Sequence, residues 1–362
     1  MKIIIHAGMH KTGSSSIQRT LADATLTDHI YAPWKKPNHS SLFQLLFREP
    51  VEDFHGFIKE GLTNEELLKE RQVWRERITR TLSESEGKTV IFSAEDVSSR
   101  HDFGITPRLA AYLREFTDDI DVILYIRPPI SYMASALQQS VKTNNRSTIN
   151  AIKHWPDFQM RIEKLDRVFG KQHIVLRKFD KSLLEGQDVV FDFLNFAGID
   201  RSEVTIRRTN ESLSLETFAL AFARHKLTGE QASRFNAAGR LNRATIEAMS
   251  GIGDTPIALA PELYEPVLTS QSDDLAWIEN RMGTSLLDTP KPSPNPVRSA
   301  DQLIDIALGL VEKLDETLPR PLVRKNTETD RRDRLIRYFQ LLQENAQAQL
   351  ARSKRPLHSP HV

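Results

Sequence analysis

The residues best suited to chemistry lie near the start of the chain, in the stretch HAGMHKTGSSSIQ that begins at His6. This stretch follows a short apolar run, which predicts a buried strand, and it precedes a predicted helix. A strand, a tight glycine loop and a helix form an anion site, because the N–H groups of the first helical turn point at the ligand and the helix dipole favours negative charge. Gly13 lets the backbone approach closely, and Lys11 adds a mobile positive charge. The stretch is therefore suited to binding a phosphate or a sulfate group.

The same stretch departs from the nucleoside-triphosphate loop G-x-x-x-x-G-K-[ST]. Gly8, Gly13 and Ser15 match this template, but Ser14 stands at the lysine position, and the lysine comes three residues earlier, as Lys11. A kinase or hydrolase uses that lysine on the β- and γ-phosphates, which Mg²⁺ bridges. The sequence also lacks an acidic strand end, since DVILYI begins with aspartate and is followed by arginine. These departures argue against nucleoside-triphosphate turnover.

The composition sets limits on partners and compartment. The 362 residues carry a net charge of +1 and include no cysteine. The charge gives no general attraction to nucleic acid or membrane, so no nucleic-acid partner is predicted, and the missing cysteines exclude disulfides, thiolate nucleophiles and cysteine-bound metals. The N-terminal apolar run is shorter than that of a signal peptide, and no apolar stretch has the length of a membrane span. We therefore expect a cytoplasmic protein without a transmembrane segment.

The hydrophobic pattern predicts an α/β fold with a central parallel sheet, followed by a helical C-terminal region. Buried strands are predicted at residues 2–5, 89–92, 121–126 and 173–176, and helices at 13–22, 65–82 and 130–142. From about residue 211 the pattern is helical, with helices at 215–227, 232–249, 261–281, 299–317 and 328–353. Four prolines in residues 288–297 predict a linker. The expected organisation is a domain over residues 1–287, a Pro-rich linker over 288–298 and a helical extension with a basic tail over 299–362.

The basic tail allows two interpretations. Residues 320–362 contain ten Lys or Arg and four Asp or Glu, a net charge of +6. Apolar residues recur there at helical spacing: Leu335, Phe339, Leu342, Ala346 and Leu350. The first interpretation is a helix that docks on its own domain or on a second subunit, which would make a homodimer. The second is an anchor to an anionic partner, such as a lipid surface in peripheral membrane contact or a polyanionic glycan.

The stretch GMHKTGSSSIQ resembles the 5′-phosphosulfate-binding loop of sulfotransferases that use 3′-phosphoadenosine 5′-phosphosulfate (PAPS), and in particular the bacterial carbohydrate-sulfotransferase branch. That branch commonly has threonine where this chain has Ser14 and Ser15. The resemblance implies a three-layer, P-loop-like fold over roughly residues 1–287, with PAPS as donor and no metal. It also implies a set of donor-binding loop residues: Lys11, Thr12, Gly13, Ser14, Ser15 and Ser16.

A second family motif binds the 3′-phosphate through an arginine that ends a strand and a serine eight residues later. Arg127 follows DVILYI, and Ser135 comes eight residues after it. Arginine is suited to this role because it binds phosphate in a bidentate manner. The resemblance further implies that Phe179 lies near the adenine. It also implies that Arg207 or Arg208, in RRTNESLS, assists at the 3′-phosphate.

The resemblance also implies the chemistry. Glu95, which follows the strand at 89–92, corresponds to the catalytic base, with the neighbouring Asp96 as an alternative, and Lys11 would stabilise the leaving phosphate. His10, His39 and Trp34 are candidates for substrate contact, and either histidine is an alternative base. The expected reaction is sulfonyl transfer from PAPS to a hydroxyl or an amine, with a carbohydrate or glycoconjugate as acceptor. The alternatives are a Mg-ATP-dependent small-molecule kinase and a non-catalytic scaffold that binds a phosphorylated nucleotide.

Overall fold

The structure is a computed structural model, which describes residues 1–144, 148–209, 212–229, 237–288, 293–317 and 328–353. The chain forms two compact units. The first consists of Met1–Tyr132, Pro156–Asn210 and Ser270–Asp288, and the second of Met133–Trp155, Glu211–Thr269 and Thr289–Val362.

The first unit contains a five-stranded sheet in the order β2-β3-β1-β4-β5. Its strands are β1 (Lys2–His6), β2 (His29–Tyr31), β3 (Thr89–Ser93), β4 (Ile120–Ile126) and β5 (Ile174–Lys178). All neighbours are parallel; Ile5 of β1 is in register with Phe92 of β3 and Val122 of β4. Because the strands are parallel, all five carboxyl ends lie at the same edge of the sheet.

Both units contain helices. In chain order they are α1 (Ser14–Ala22), α2 (Ser40–Phe47), α3 (His55–Glu60), α4 (Asn64–Ser83), α5 (Ile105–Arg114), α6 (Pro129–Asn144), α7 (Phe158–Phe169), α8 (Val189–Ala197), α9 (Leu215–Thr228), α10 (Ala237–Ala248), α11 (Pro261–Ser270), α12 (Ser272–Met282), α13 (Ala300–Gly309), α14 (Val311–Thr317) and α15 (Glu328–Ser353). Short 3₁₀ turns lie at Glu95–Ser98, Ala151–His154, Lys171–His173, Glu185–Gln187 and Arg201–Glu203.

Helices cover both faces of the sheet. Ile4 of β1 belongs to a core cluster with Ile17 of α1 and Phe193 of α8 on one face. On the other face, the ring of Phe92 lies 5.4 Å from the ring of Phe43 in α2, and α7 contacts β4 and β5. Parallel strands covered on both faces are apolar throughout, as the sequence of β1 already indicated. The predicted three-layer α/β fold with a central parallel sheet is confirmed.

The second unit is helical, as predicted. In α15, Leu335, Phe339 and Ala346 are buried, and α15 contacts α9, α10, α13 and α14. The apolar stripe thus has a packing surface within its own unit, as the first interpretation of the tail expects. The homodimer and the anionic partner stay predictions, and residues 318–327 and 354–362 of the tail lie outside the described residues. Among the residues described, no helix combines the length and apolarity that a membrane span requires.

Several details differ from the sequence analysis. The edge strand β2 was not predicted, because three half-exposed residues carry no periodic signal. The helix predicted at 261–281 is two helices separated at Gln271, and the one predicted at 299–317 is interrupted at Leu310. Contacts also group residues 133–155 with the C-terminal helices and 270–288 with the sheet. Residues 232–236, in the helix predicted at 232–249, and residues 289–292 of the linker lie outside the described residues.

Candidate active site

The loop between β1 and α1, residues 7–13, has the geometry of an anion site and is called the anion loop. Gly13 is in the left-handed conformation at φ 82° and immediately precedes the first residue of α1, Ser14. A Cβ atom at Gly13 would lie 2.7 Å from Cγ1 of Val189 and 3.9 Å from the ring of Phe179. Glycine is therefore required here for its backbone conformation and for space. Lys11 also has positive φ, at 66°, and its side chain is partly exposed.

Hydrogen bonds within the loop fix its shape. The hydroxyl of Thr12 is buried and donates to the main-chain oxygen of Met9 at 2.6 Å, and that of Ser14 donates to the same oxygen at 3.3 Å. The N–H of Met9 donates in turn to the carbonyl of Tyr125 in β4 at 3.2 Å. Thr12 and Ser14 therefore hold the loop, and their main-chain N–H groups are the parts suited to an anion. Ser15 is partly exposed in the first turn of α1.

Arg127 and Phe179 reach this loop from the ends of β4 and β5. Nη1 of Arg127, directly after β4, donates to the main-chain oxygen of Lys11 at 2.7 Å, and its Nε donates to Ser131 at 3.3 Å. Phe179, directly after β5, lies with its ring centroid 5.7 Å from the guanidinium carbon of Arg127. Burial lowers the pKa of Arg127, and the charge of Asp288 opposes this effect. An arginine remains a cation under such a shift.

The segment of Arg207 and Arg208 runs along α1. The N–H of Arg207 donates to the hydroxyl of Thr20 at 2.9 Å, and its guanidinium pairs with Asp23 at the C-terminal end of the helix. The N–H of Thr209, by contrast, donates to Ser16 in the first turn at 3.2 Å. Arg207 thus points away from the anion loop.

Arg208 lies on the other side of this segment. Its Nε donates to Asp188 at 2.9 Å, and Asp188 caps α8 immediately before Val189, the residue that packs against Gly13. Arg208 is therefore the nearer of the two arginines to the loop. Ser135 lies on α6, in the part of that helix that belongs to the second unit, and is 9% exposed.

Glu95 lies at the end of β3, directly beside the loop. A Cβ atom at Gly8 would lie 3.4 Å from Cα and Cβ of Glu95. Nδ1 of His10 donates to Oε2 of Glu95 at 2.5 Å, and Nε2 of His10 lies 3.8 Å from Oδ1 of Asp96. The Asp96 carboxylate also accepts a hydrogen bond from Gln44 at 3.3 Å. A histidine of the anion loop is therefore paired with the candidate base.

The two partners shift each other's pKa values. Burial acts to raise the pKa of Glu95, but the hydrogen bond and charge of His10, with smaller effects of His6 and Ser14, outweigh it and lower that pKa. Burial acts to lower the pKa of His10, but Glu95 and then Asp96 outweigh it and raise that pKa, with Arg161 opposing. Each partner therefore favours the charged form of the other, the carboxylate of Glu95 and the imidazolium of His10.

The other two candidates for substrate contact have their polar atoms engaged in the protein. His39 is fully buried; its Nε2 donates to the carbonyl of Ala32 at 2.7 Å, and its Nδ1 accepts from the N–H of Ser93 at 3.0 Å. Burial lowers the pKa of His39 to about 4, so the ring is neutral. Trp34 donates from Nε1 to Ser41 at 3.1 Å. It lines a cavity of about 390 Å³ beside β2.

Sequence reasoning missed several polar residues that support the site. Nδ1 of His6, the last residue of β1, lies 2.7 Å from the hydroxyl of Ser93, the last residue of β3. Asp288 accepts hydrogen bonds from the N–H groups of Ile130 and Ser131 at 3.2 and 2.9 Å, at the start of α6. Contacts between residues so far apart in sequence leave no local pattern. Among the described residues, no group of three or more His, Asp or Glu side chains is arranged to hold a metal ion.

Comparison with known proteins found similarity to a curated sequence and to solved structures. No family model matches the chain. An uncharacterized protein of Archaeoglobus fulgidus is 27% identical over 112 residues, which are 26% of this chain and 31% of that protein. The chain thus spans about a third of the length of the curated relative it matches. The crystal structure of a sulfotransferase from Alicyclobacillus acidocaldarius is 15% identical, with a TM-score of 0.44 over 79% of this chain and 97% of that one.

Proposed function

We propose that the protein transfers the sulfonyl group of PAPS to a hydroxyl group of an acceptor, and that the acceptor is a carbohydrate or glycoconjugate. The observation that carries the proposal is the 2.7 Å hydrogen bond from Arg127 to the main-chain oxygen of Lys11, which joins positions 116 residues apart. The family resemblance implies that Lys11 binds a 5′-phosphosulfate and that Arg127 binds a 3′-phosphate. A ligand with two anionic groups on one nucleoside needs a cation near each group, and this bond holds the Arg127 guanidinium against the backbone of the loop that carries Lys11.

The order of the strand ends supports the same ligand. Phe179 follows β5, Arg127 follows β4, the anion loop follows β1 and Glu95 follows β3, and these four strands are consecutive in the sheet. Adjacent strands are about 4.8 Å apart, so the loop and the end of β5 are separated by about 10 Å. PAPS fits this order with adenine at Phe179, the 3′-phosphate at Arg127, the phosphosulfate at the loop and the acceptor at Glu95.

The reaction then follows from the charges. The acceptor oxygen attacks sulfur, the bond between sulfur and the bridging oxygen of the 5′-phosphate breaks, and its electron pair leaves with 3′,5′-adenosine bisphosphate. Lys11 and the N–H groups of the first turn of α1 stabilise the charge that develops on this phosphate. Glu95 takes the proton of the acceptor hydroxyl, for which the carboxylate must be ionised. The pKa of Glu95, lowered against the effect of burial mainly by His10, meets this requirement.

The contacts refine the residue assignments within this proposal. Arg208, beside the α8 cap, is the arginine that assists at the 3′-phosphate, since Arg207 is engaged at the far end of α1. Thr12 contributes by shaping the loop. His39 has both ring nitrogens bonded to the main chain, so Glu95 is the stronger candidate for the base.

Calorimetric binding of 3′,5′-adenosine bisphosphate without Mg²⁺ tests the proposal. We expect binding to the wild type and at least a tenfold loss of affinity for Lys11→Ala and Arg127→Ala, because a charged hydrogen bond contributes about 1.5–3 kcal/mol. Arg167→Ala is the matched control; this arginine is 75% exposed in the same unit, and its variant should bind like the wild type. No binding to the folded wild type, with Mg-ATP bound instead, would overturn the proposal. Release of the bisphosphate from PAPS in the presence of a panel of free sugars then tests the acceptor class.

A further inference from the structure

His10 connects the two halves of the proposed reaction site. It lies on the anion loop after β1, whereas Glu95 and Asp96 follow β3, yet its Nδ1 lies 2.5 Å from Oε2 of Glu95. The backbones of Gly8 and Glu95 are also close, because a Cβ atom placed on Gly8 would lie 3.4 Å from Cα and Cβ of Glu95. A movement of the anion loop would therefore move the carboxylate of Glu95, and a movement of that carboxylate would move the loop.

We propose that His10 is a positioning residue for Glu95: its protonated ring holds Oε2 and leaves Oε1 to accept the proton of the acceptor hydroxyl. This inference rests on the proposed function. A carboxylate with one oxygen bonded to a cation keeps a fixed orientation, which general-base catalysis needs. The Nε2 side of His10 faces Oδ1 of Asp96 at 3.8 Å, so the ring contacts a carboxylate at each nitrogen.

The surroundings of His10 explain why it carries the charge. Glu95 and Asp96 are the acidic groups that favour the protonated ring, and Arg161 opposes them. His6 also acts on Glu95, but burial lowers its pKa to about 4, and it is neutral near pH 7. The side chain of His10 is 38% exposed, whereas that of Glu95 is 15% exposed. His10 can therefore exchange protons with solvent while the carboxylate stays inside the site.

The pairing predicts a bell-shaped pH dependence of turnover. The acid limb follows protonation of Glu95, and His10 shifts it to lower pH by lowering the pKa of that carboxyl group. The alkaline limb follows deprotonation of His10, whose pKa is raised, because the neutral ring has no charge to attract the carboxylate and can move its single N–H from Nδ1 to Nε2.

Nuclear magnetic resonance titration of the full chain with ¹⁵N-labelled histidine tests the pairing without any acceptor. The His10 signal is identified by its absence in His10→Asn. We expect His10 to titrate above its ordinary value of 6.5 in the wild type and at lower pH in Glu95→Gln, because Glu95 is the main group that raises its pKa. Asp96→Asn is the control and should shift it less, because Asp96 lies farther from the ring. A wild-type titration at or below 6.5, or equal values in wild type and Glu95→Gln, would overturn the inference.

The pH profile of bisphosphate release from PAPS tests the positioning role, with the fastest sugar of the panel or, if none reacts, with water as acceptor. His10→Asn keeps an N–H donor but cannot titrate, so we expect the alkaline limb to disappear and the acid limb to move to higher pH. Both limbs unchanged would refute a role in positioning. Bisphosphate binding separates the two proposals. If the wild type shows the pairing of His10 with Glu95 but does not bind the bisphosphate, only the proposed function is refuted. If it binds the bisphosphate but shows no such pairing, only this inference is refuted.

Discussion

Replacing Gly13 by alanine tests whether the anion loop depends on glycine in the way the structure requires. Gly13 has φ 82°, and a Cβ atom there would lie 2.7 Å from Cγ1 of Val189. Two costs follow. A left-handed conformation costs alanine about 1–2 kcal/mol. A carbon pair at 2.7 Å is also about 1 Å closer than an optimal contact, and such overpacking costs about 1–3 kcal/mol.

The two costs can be separated in a double-mutant cycle. Val189→Ala removes the atom that the new methyl group at position 13 would meet, and by itself it should destabilise the first unit by about 2 kcal/mol, because Val189 is nearly buried. In that background Gly13→Ala should cost only the conformational part, about 1–2 kcal/mol, instead of the full sum of about 2–5 kcal/mol. The coupling of about 1–3 kcal/mol measures the steric contact between α8 and the loop.

Urea unfolding followed by tryptophan fluorescence suits this cycle, because three of the four tryptophans, Trp34, Trp74 and Trp277, lie in the first unit. Bisphosphate affinity is measured on the same four proteins. We expect Gly13→Ala to weaken binding in both backgrounds, because the altered backbone misdirects the N–H groups of the first helical turn. An equal loss of stability from Gly13→Ala in the wild-type and Val189→Ala backgrounds would show that the contact with Val189 is relieved at no cost. No loss of stability in either background would refute the requirement for glycine.

Three further changes have expected outcomes. Arg127→Lys keeps the charge but not the planar fork, so bisphosphate affinity should fall about tenfold by calorimetry; equal affinity would mean that a point charge suffices. Asp192→Ala leaves the Tyr125 hydroxyl and the Arg177 guanidinium without their shared buried partner and should cost about 3 kcal/mol in urea unfolding; a loss below about 1 kcal/mol would contradict this. Burial lowers the pKa of His6 and of His39 to about 4. The stability that these buried, neutral rings contribute to the fold is therefore present above pH 6.5 and is lost as pH falls toward 4. A urea midpoint that stays constant from pH 7 to 5 would contradict this.

The buried strands could be predicted from the sequence because apolar runs bounded by polar residues have few other interpretations. Four of the five strands and the helical C-terminal unit were predicted, with ends that differ by a few residues. The edge strand β2 was not, because His29–Tyr31 is short and half exposed and is held by pairing with β3. The break at Gln271 was also missed, since apolar residues resume at helical spacing after it, at Leu275 and Ile278 in α12.

The site was predictable where a motif is local. Lys11, Gly13 and the serines belong to one stretch, and Arg127 and Phe179 could be located because each follows a recognisable strand. That these strand ends meet depends on the strand order, which the sequence does not state. The hydrogen bond between His10 and Glu95 joins residues 85 positions apart, and no local sequence pattern around either residue indicates the other. Such pairs emerge only when the parallel sheet brings the ends of β1 and β3 together.

The position of the lysine in the loop now has a physical reason. Ser14, at the template's lysine position, is 3% exposed; its hydroxyl oxygen lies 3.3 Å from the carbonyl oxygen of Met9, and the hydroxyl also helps to lower the pKa of Glu95. A lysine at this position would place a long cationic side chain in a buried space next to that carboxylate, where it would compete with His10. Lys11 instead lies on the partly exposed turn of the loop at φ 66°, with its carbonyl bonded to Arg127. In the proposed function Lys11 is the cation for the anion while the carboxylate beside the loop is paired with His10, and a lysine at position 14 would interfere with that pairing.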